Sequence, residues 1–302
     1  MKKITVTIGI PAYNEEANIG YLIEDLLKQR SNGYILEKII IISDGSIDRT
    51  AEVVKSFNKN EIFLVDNKFR QGLAKTQNEI LEKSNSDILV LLNADIMIND
   101  PLFLSKIITP IKNDKSDLVC ISLRELEQYT ITGDILNVSM KFKTAIFEKY
   151  KKGNNIYTCH AVRAFSKRLY KDFTFKGSIG EDAYSYLYAK FNNYKYDFIK
   201  STKAYYRLPS NYKDHEKQSI RFIQSKKKFI KDFGEDFIHE NYFIPKTPLV
   251  LTGIKFTAKY PIHMFLYVLI YFGIKVKAIF AGKISDSWEI SVSSKALRFK
   301  IL

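Results

Sequence analysis

The sequence predicts an α/β fold with a mostly parallel, doubly wound central sheet and a helical C-terminal extension. Three observations predict it. First, β-branched runs alternate with helix-period patterns over residues 4–113, the alternation of βαβ units. Second, Ile88 to Leu92 is an unbroken apolar run of strand length, as expected of a central parallel strand buried on both faces. Third, the predicted strands end in polar residues, which brings Tyr13 to Glu15, Asp44 and Asn93 to Asp95 to one sheet edge. Ligands of open α/β sheets bind beyond the carboxyl ends of their strands.

The elements follow in order. Ile4 to Ile10 alternates as a strand and is broken by Pro11-Ala12-Tyr13-Asn14-Glu15-Glu16. Ile19, Leu22, Ile23, Leu26 and Leu27 share one face of a helix over Asn18 to Gln29. Lys38 to Ile42 is a second strand, ending at Ser43-Asp44-Gly45-Ser46-Ile47-Asp48, a turn that also caps the helix through Phe57. Ile62 to Val65 is a third strand, and Leu73 to Lys83 a helix. Pro101 to Asn113 reads as a helix, Leu118 to Ser122 as a strand, and Ile131 to Lys151 as one long helix. Thr158 to Phe165 reads as a strand carrying His160 and Arg163. After Gly177-Ser178-Ile179-Gly180, Glu181-Asp182 opens a helix to Phe191, where the helix dipole alone favours acidic residues. Asp197 to Ile199 and Ala204 to Arg207 read as short strands, and Asn211 to Phe233 as a long basic helix.

The bulk numbers bound the function. The chain has 302 residues, 46% of them apolar, enough for a large core. Its formal net charge is +14. From Lys246 to Leu302, nine Lys and Arg face only Asp286 and Glu289, a net +7 and half of the total. A basic and apolar tail points to a membrane surface and away from nucleic acid. Cys120 and Cys159 fit neither a metal motif nor a disulfide scaffold. Met-Lys-Lys followed by strand-like alternation has no signal-peptide core, so the expected location is the cytoplasm, peripheral at the inner face of the membrane. No G-x-G-x-x-G follows the first strand and no G-x-x-x-x-G-K-[ST] occurs, which argues against a dinucleotide fold and a P-loop.

Five segments carry a resemblance: P-A-Y-N-E-E at Pro11 to Glu16, S-D-G-S-I-D-R-T at Ser43 to Thr50, N-A-D at Asn93 to Asp95, E-D at Glu181-Asp182 and Q-S-I-R-F at Gln218 to Phe222. In this order and spacing the chain resembles the family 2 inverting nucleotide-sugar glycosyltransferases over roughly residues 3–235. The resemblance implies a GT-A fold, Rossmann-like, with a nucleotide-binding half over residues 1–122, an acceptor-binding half over 123–235 and an extension over 236–302. By resemblance, Pro11, Tyr13 and Glu15 line the base and ribose pocket, Asp44 hydrogen-bonds uracil or ribose, and Arg70 lies near the diphosphate. Asn93-Ala94-Asp95 stands where the family carries its D-x-D motif, so Asp95 would bind Mg²⁺ or Mn²⁺. Asn93 departs from that pattern, since an amide accepts but brings no charge.

Inverting transfer needs a base opposite the leaving diphosphate and positive charge on the leaving group. The resemblance gives the base to Asp182, the second residue of the acidic pair. Gln218 and Arg221 match the family's Q-x-x-R-W element, with Phe222 in place of Trp, and share a helix face. The implied donor is a UDP-sugar and the acceptor a glycan or polyprenyl-linked molecule. His160 reads as a structural or acceptor-pocket residue and Lys226 to Lys228 as a solvated helix face.

Tyr260 to Ile274 is fifteen residues free of Lys, Arg, Asp and Glu, short of the about twenty that a spanning helix needs. Pro261 and His263 weaken a span further. The favoured expectation is a helix in the membrane interface, ahead of packing in a homodimer or core, and ahead of a span. Two other classes compete. A sugar-1-phosphate nucleotidyltransferase would carry a Gly-rich, Arg-containing loop after the first strand, where this chain has P-A-Y-N-E-E. A degenerate, non-catalytic scaffold acting as a basic membrane-binding protein is the non-enzymatic alternative.

Overall fold

The computed structural model describes residues 3–177 and 180–281. Ser178 and Ile179 of the glycine-flanked turn lie outside the described residues, as do Lys283, Asp286, Glu289, Lys295, Arg298 and Lys300 of the tail.

The nucleotide-side elements are β1 (Ile4–Ala12), α1 (Ile19–Leu27), β2 (Tyr34–Asp44), α2 (Thr50–Ser56), β3 (Ile62–Asn67), α3 (Leu73–Lys83), β4 (Ile88–Leu92) and α4 (Phe103–Lys112). The second half continues with β5 (Leu118–Glu125), α5 (Ile131–Phe147), β6 (Val162–Ser166), α6 (Lys167–Asp172), α7 (Glu181–Phe191), β7 (Tyr196–Tyr206) and α8 (Tyr212–Phe233). Then come α9 (Glu235–Tyr242), α10 (Lys246–Lys259) and α11 (Pro261–Phe280).

The seven strands form one sheet in the order β3-β2-β1-β4-β6-β5-β7. Only β6 runs antiparallel to its neighbours; the other pairings are parallel. The carboxyl ends of β1, β2, β4, β5 and β7 therefore share one edge. The two-residue strand period divides the core. Ile39, Ile41, Ile88, Val90 and Leu92 pack with α1 and α4 on one face. Ile40, Ile42, Leu89 and Leu91 pack with α3, α6, α7 and α8 on the other. All of Ile88 to Leu92 is fully buried, and each such side chain contributes roughly 1.5–3 kcal/mol.

The structure corrects four local expectations. The long helix stops at Phe147, and Lys151 and Lys152 adopt left-handed φ of 48° and 53° in a 3₁₀ turn. That conformation breaks an α-helix of L-residues. Arg124 holds Glu148 bidentately at 2.7 and 3.0 Å, tying the end of α5 to β5. His160 precedes β6, because Ile156–Thr158 forms a separate 3₁₀ turn. The two predicted short strands are one strand, β7, whose partner in β5 steps from Ile121 to Ser122 while β7 steps from Ile199 to Lys203. Finally, α11 runs on through Lys275 and Lys277 to 20 residues, with Pro261 at its first position. A proline there surrenders no helical hydrogen bond.

Candidate active site

At the ends of β1 and β2 the two polar motifs are tied to each other. Asn14 has a left-handed φ of 53°, which Asn tolerates better than most residues. Its Oδ1 accepts from the Ile47 amide at 2.9 Å, and its own amide donates to Ser46 Oγ at 3.1 Å. The Glu15 amide donates to Thr50 Oγ1 at 2.7 Å, the Glu16 amide to Asp48 Oδ2 at 3.0 Å, and the Arg49 amide to Glu16 Oε2 at 3.0 Å. Pro11 and Glu15 are buried, and Glu15 Oε2 accepts from Asn18 Nδ2 at 2.9 Å.

Asp44 ends β2 and is buried. Its two carboxylate oxygens accept from the amides of Gln71 at 2.7 Å and Gly72 at 2.8 Å. Hydrogen bonds to a charged acceptor contribute about 1.5–3 kcal/mol each, so Asp44 fixes the turn that enters α3. The two turns meet backbone to backbone. Gly45 has φ 69°, and a Cβ there would lie 2.5 Å from the Arg70 nitrogen, so only glycine fits. This packing holds the Arg70 guanidinium 4.0 Å from the centroid of the Tyr13 ring, a cation–π contact. Tyr13, Asp44 and Arg70, predicted separately, thus form one cluster.

Beyond β4, the Asn93 amide donates to Ala161 O at 3.0 Å, and Met97 exchanges two hydrogen bonds with Tyr205 at 2.8 and 2.9 Å. The N-A-D loop is pinned at both ends. Ala94 is buried and Asp95 partly exposed. Asn93 Oδ1 is buried with no hydrogen-bond partner among the described residues. An orphaned buried acceptor carries a penalty of about 1–3 kcal/mol, which a bound cation or donor would relieve. The described residues hold no cluster of three His, Cys, Asp or Glu side chains able to enclose a metal. The donor set of one carboxylate and one amide oxygen suits a hard cation that keeps waters and takes ligand phosphates.

The acidic pair opens α7 behind Gly180, which has a left-handed φ of 72°. Glu181 is buried and Asp182 partly exposed, with Asp182 Oδ1 accepting from the Ala183 amide at 2.7 Å. Burial first, then the charge of Asp182, pushes the Glu181 carboxyl up to about 7, against the opposing pull of Arg163 and Arg221. Arg163 is fully buried; its Nη1 donates to Ser185 Oγ at 3.0 Å, and its guanidinium lies 5.6 Å from the Phe175 ring centroid. Desolvation lowers the pKa of Arg221, while Glu181 and Asp182 counter that effect. Burial likewise holds His160 below its ordinary value, and Asp182 opposes the shift. Asn93 is bonded to Ala161 beside His160, and the charge of Asp182 acts on His160, so the N-A-D loop and the acidic pair both border this segment. Gln218 lies one turn before Arg221 and is half-buried; Phe222 is exposed.

The sequence pattern gives Arg163 no site role and passes over Glu181 in favour of Asp182 within the acidic pair. The available signal was a single cation inside the apolar run V-R-A-F at Val162 to Phe165, since a buried charge demands a partner. A hollow of about 630 Å³ lies at the opposite sheet edge, lined by Lys3, Asp87, Lys112, Asp117, Lys167 and Arg168 among others. It is remote from the polar strand ends.

Comparison with known proteins bears on the family and the fold. The sequence model described as Glycosyl transferase family 2 matches residues 7–174. The poly-beta-1,6-N-acetyl-D-glucosamine synthase of Staphylococcus epidermidis is 32% identical over 134 residues, which cover 44% of this chain and 32% of that protein. The matched stretch thus spans about a third of the length of that relative. The mannosyltransferase PcManGT from Pyrobaculum calidifontis, solved with GDP-Man and Mn²⁺, superposes with a TM-score of 0.62 at 14% identity, covering 92% of this chain and 76% of that one. TarS of S. aureus, solved with UDP-GlcNAc, gives a TM-score of 0.56 at 16% identity, covering 79% and 73%. These likenesses bear out the GT-A fold.

Proposed function

Because the chain belongs to glycosyl transferase family 2, we propose that it transfers a sugar, with inversion, from a nucleoside-diphosphate sugar to a glycan or polyprenyl-linked acceptor. The donor is a UDP-sugar. The observation that carries this reading is the convergence on one sheet edge of three groups: an aromatic–cation cluster, an N-A-D loop with an unsatisfied buried oxygen, and a carboxylate pair flanked by arginines. The names of the staphylococcal relatives, one an N-acetylglucosamine polymer synthase and one solved with UDP-GlcNAc, support the choice of UDP.

In this reading Tyr13 and Arg70 hold the nucleotide end of the donor, with Asp44 keeping their loop in place. Pro11 and Glu15 form the floor beneath them. Asp95, Asn93 and the Ala94 backbone would hold Mg²⁺ or Mn²⁺, which when bound supplies positive charge against the departing diphosphate. Asp182 takes the proton of the acceptor hydroxyl as its oxygen attacks the anomeric carbon and the bond to the diphosphate breaks. Glu181 assists because burial pushes its carboxyl up toward neutral pH, which lessens the negative charge beside Asp182. Arg221, with Gln218 on the same face of α8, neutralises the leaving group. The transferase body is residues 1–235 and the extension 236–302, working at the cytoplasmic face of the membrane.

Calorimetric titration of UDP, GDP and their sugar conjugates, with Mn²⁺ and then with EDTA, tests the reading. Metal-dependent binding of UDP and one UDP-sugar is expected. Binding of GDP alone would overturn the base assignment, and no binding of any conjugate would overturn the donor site.

A further inference from the structure

The hairpin of α10 and α11 has a surface unlike that of the rest of the protein. From Lys246 to Ala281 the chain has no Asp or Glu, while Lys246, Lys255, Lys259, Lys275 and Lys277 all fall within it. No residue of α10 is buried, and α11 buries only Met264, Tyr267, Ile274 and Ala278. Around the remaining circumference Ile254 is 64% exposed, Ile262 70%, Phe265 64% and Phe272 62%. Contiguous apolar exposure on this scale marks an interaction surface.

By length and composition α11 can cross a membrane. Its packing argues against that orientation. The buried stripe from Met264 to Ala278 lies along α5 and α8, a contact about 21 Å long at 1.5 Å per residue. Both ends are tied to the body: His263 Nε2 lies 2.8 Å from Asp134 on α5, and Lys277 Nζ lies 2.6 Å from Glu216 on α8. The exposed face of α8 carries Lys213, Lys217, Lys227 and Lys231, which hydrocarbon excludes. Standing α11 across a bilayer would either strip it from α5 and α8 or carry those lysines in with it.

We propose that the α10–α11 hairpin lies flat in the interface of an anionic phospholipid bilayer. Its apolar outer face enters the acyl boundary and Lys246, Lys255, Lys259 and Lys275 meet the headgroups. Tyrosines paired with lysines suit that depth: Lys259 Nζ lies 5.1 Å from the Tyr260 ring centroid and Lys275 Nζ 5.3 Å from that of Tyr271. A second copy of the chain is the poorer occupant, because two purely basic hairpins would face each other. The proposal goes beyond the donor chemistry and does not depend on it. It sets α8, with Gln218 and Arg221, beside the bilayer, within reach of a lipid-linked acceptor.

The test is flotation of the full chain with vesicles of phosphatidylcholine alone or mixed with phosphatidylglycerol. It is repeated for the double variant Phe265→Glu/Phe272→Glu and for Ile254→Glu/Ile262→Glu. The wild type is expected to float with the anionic vesicles, at least tenfold less with the neutral ones, and to be released by alkaline carbonate. Both variants are expected to lose at least tenfold in flotation while their circular dichroism melts match the wild type. Retention after carbonate would overturn the flat orientation in favour of a span. Unchanged flotation of both variants would overturn the face. Absence of flotation, with a dimer in sedimentation that the variants dissociate, would make the face a contact between copies. UDP titration on the same samples keeps the readings apart: lost UDP binding with retained flotation counts against the donor site alone.

Discussion

Replacing Glu181 with Gln tests the electrostatics of the site directly. Glu181 sits in the first turn of α7, where the helix dipole favours a charged carboxylate by about 0.3–1 kcal/mol. It is only 7% exposed, however, and burial together with the charge of Asp182 moves its pKa from 4.5 to about 7. At 1.36 kcal/mol per pH unit this displacement amounts to roughly 3 kcal/mol, so desolvation overrides the dipole. The folded chain keeps a proton that the unfolded chain releases. Glu181 therefore contributes its full stability below pH 4.5 and loses it as the pH rises through about 7. Gln keeps the shape and removes the titration. In urea unfolding, the variant is expected to gain on the wild type by up to roughly 3 kcal/mol across that window, a midpoint shift on the order of 1 M. The gain should level off above pH 7. A wild-type-to-variant difference that stays constant with pH would refute the reasoning, because it would mean that Glu181 titrates alike in both states.

Three further outcomes are expected. Asp182→Asn should keep UDP binding and lower transfer by about 10²–10⁴-fold, the range for removal of a general base; transfer within a few-fold of wild type in a coupled UDP-release assay would exclude it. Asp95→Ala should lower UDP affinity at least tenfold in Mn²⁺ and leave it unchanged in EDTA, with equal losses in both media counting against a metal role. Asp44→Ala removes two charge-assisted hydrogen bonds to the turn at Gln71 and Gly72. At the scale of such bonds it should lower stability by roughly 3–6 kcal/mol and weaken UDP binding through the displaced Arg70; an unaltered urea midpoint would speak against this anchoring role.

Much of the first half was readable from the chain itself. The apolar run Ile88 to Leu92 and the β-branched runs before it report burial on two faces, because each residue's environment repeats with the strand period. Their polar ends, Asp44 and Asn93 to Asp95, fall on one edge because β1, β2 and β4 run parallel. The second half was less legible for particular reasons. The step in the pairing of β5 with β7 is a contact distant in sequence, Gly153 after the kink lies against Phe198 of β7, and Thr158 of the turn before His160 meets Tyr196 Oη at 2.9 Å. Arg163 looked like an ordinary charge in a strand until β6 was seated between β4 and β5.

The sequence by itself determined the sheet, its order of αβ units, the identity of the acidic pair and the apolar, basic character of the tail. These follow from patterns among near neighbours. Only the tertiary structure decided that Asp44 anchors the Arg70 turn, that Arg70 stacks on Tyr13, and that α11 packs lengthwise on α5 and α8. It also decided that Glu181, more than Asp182, is the buried member of the pair. The reason is that desolvation and charge act through space: Arg163 and Arg221 reach Glu181 from a strand and a helix that local pattern cannot bring together.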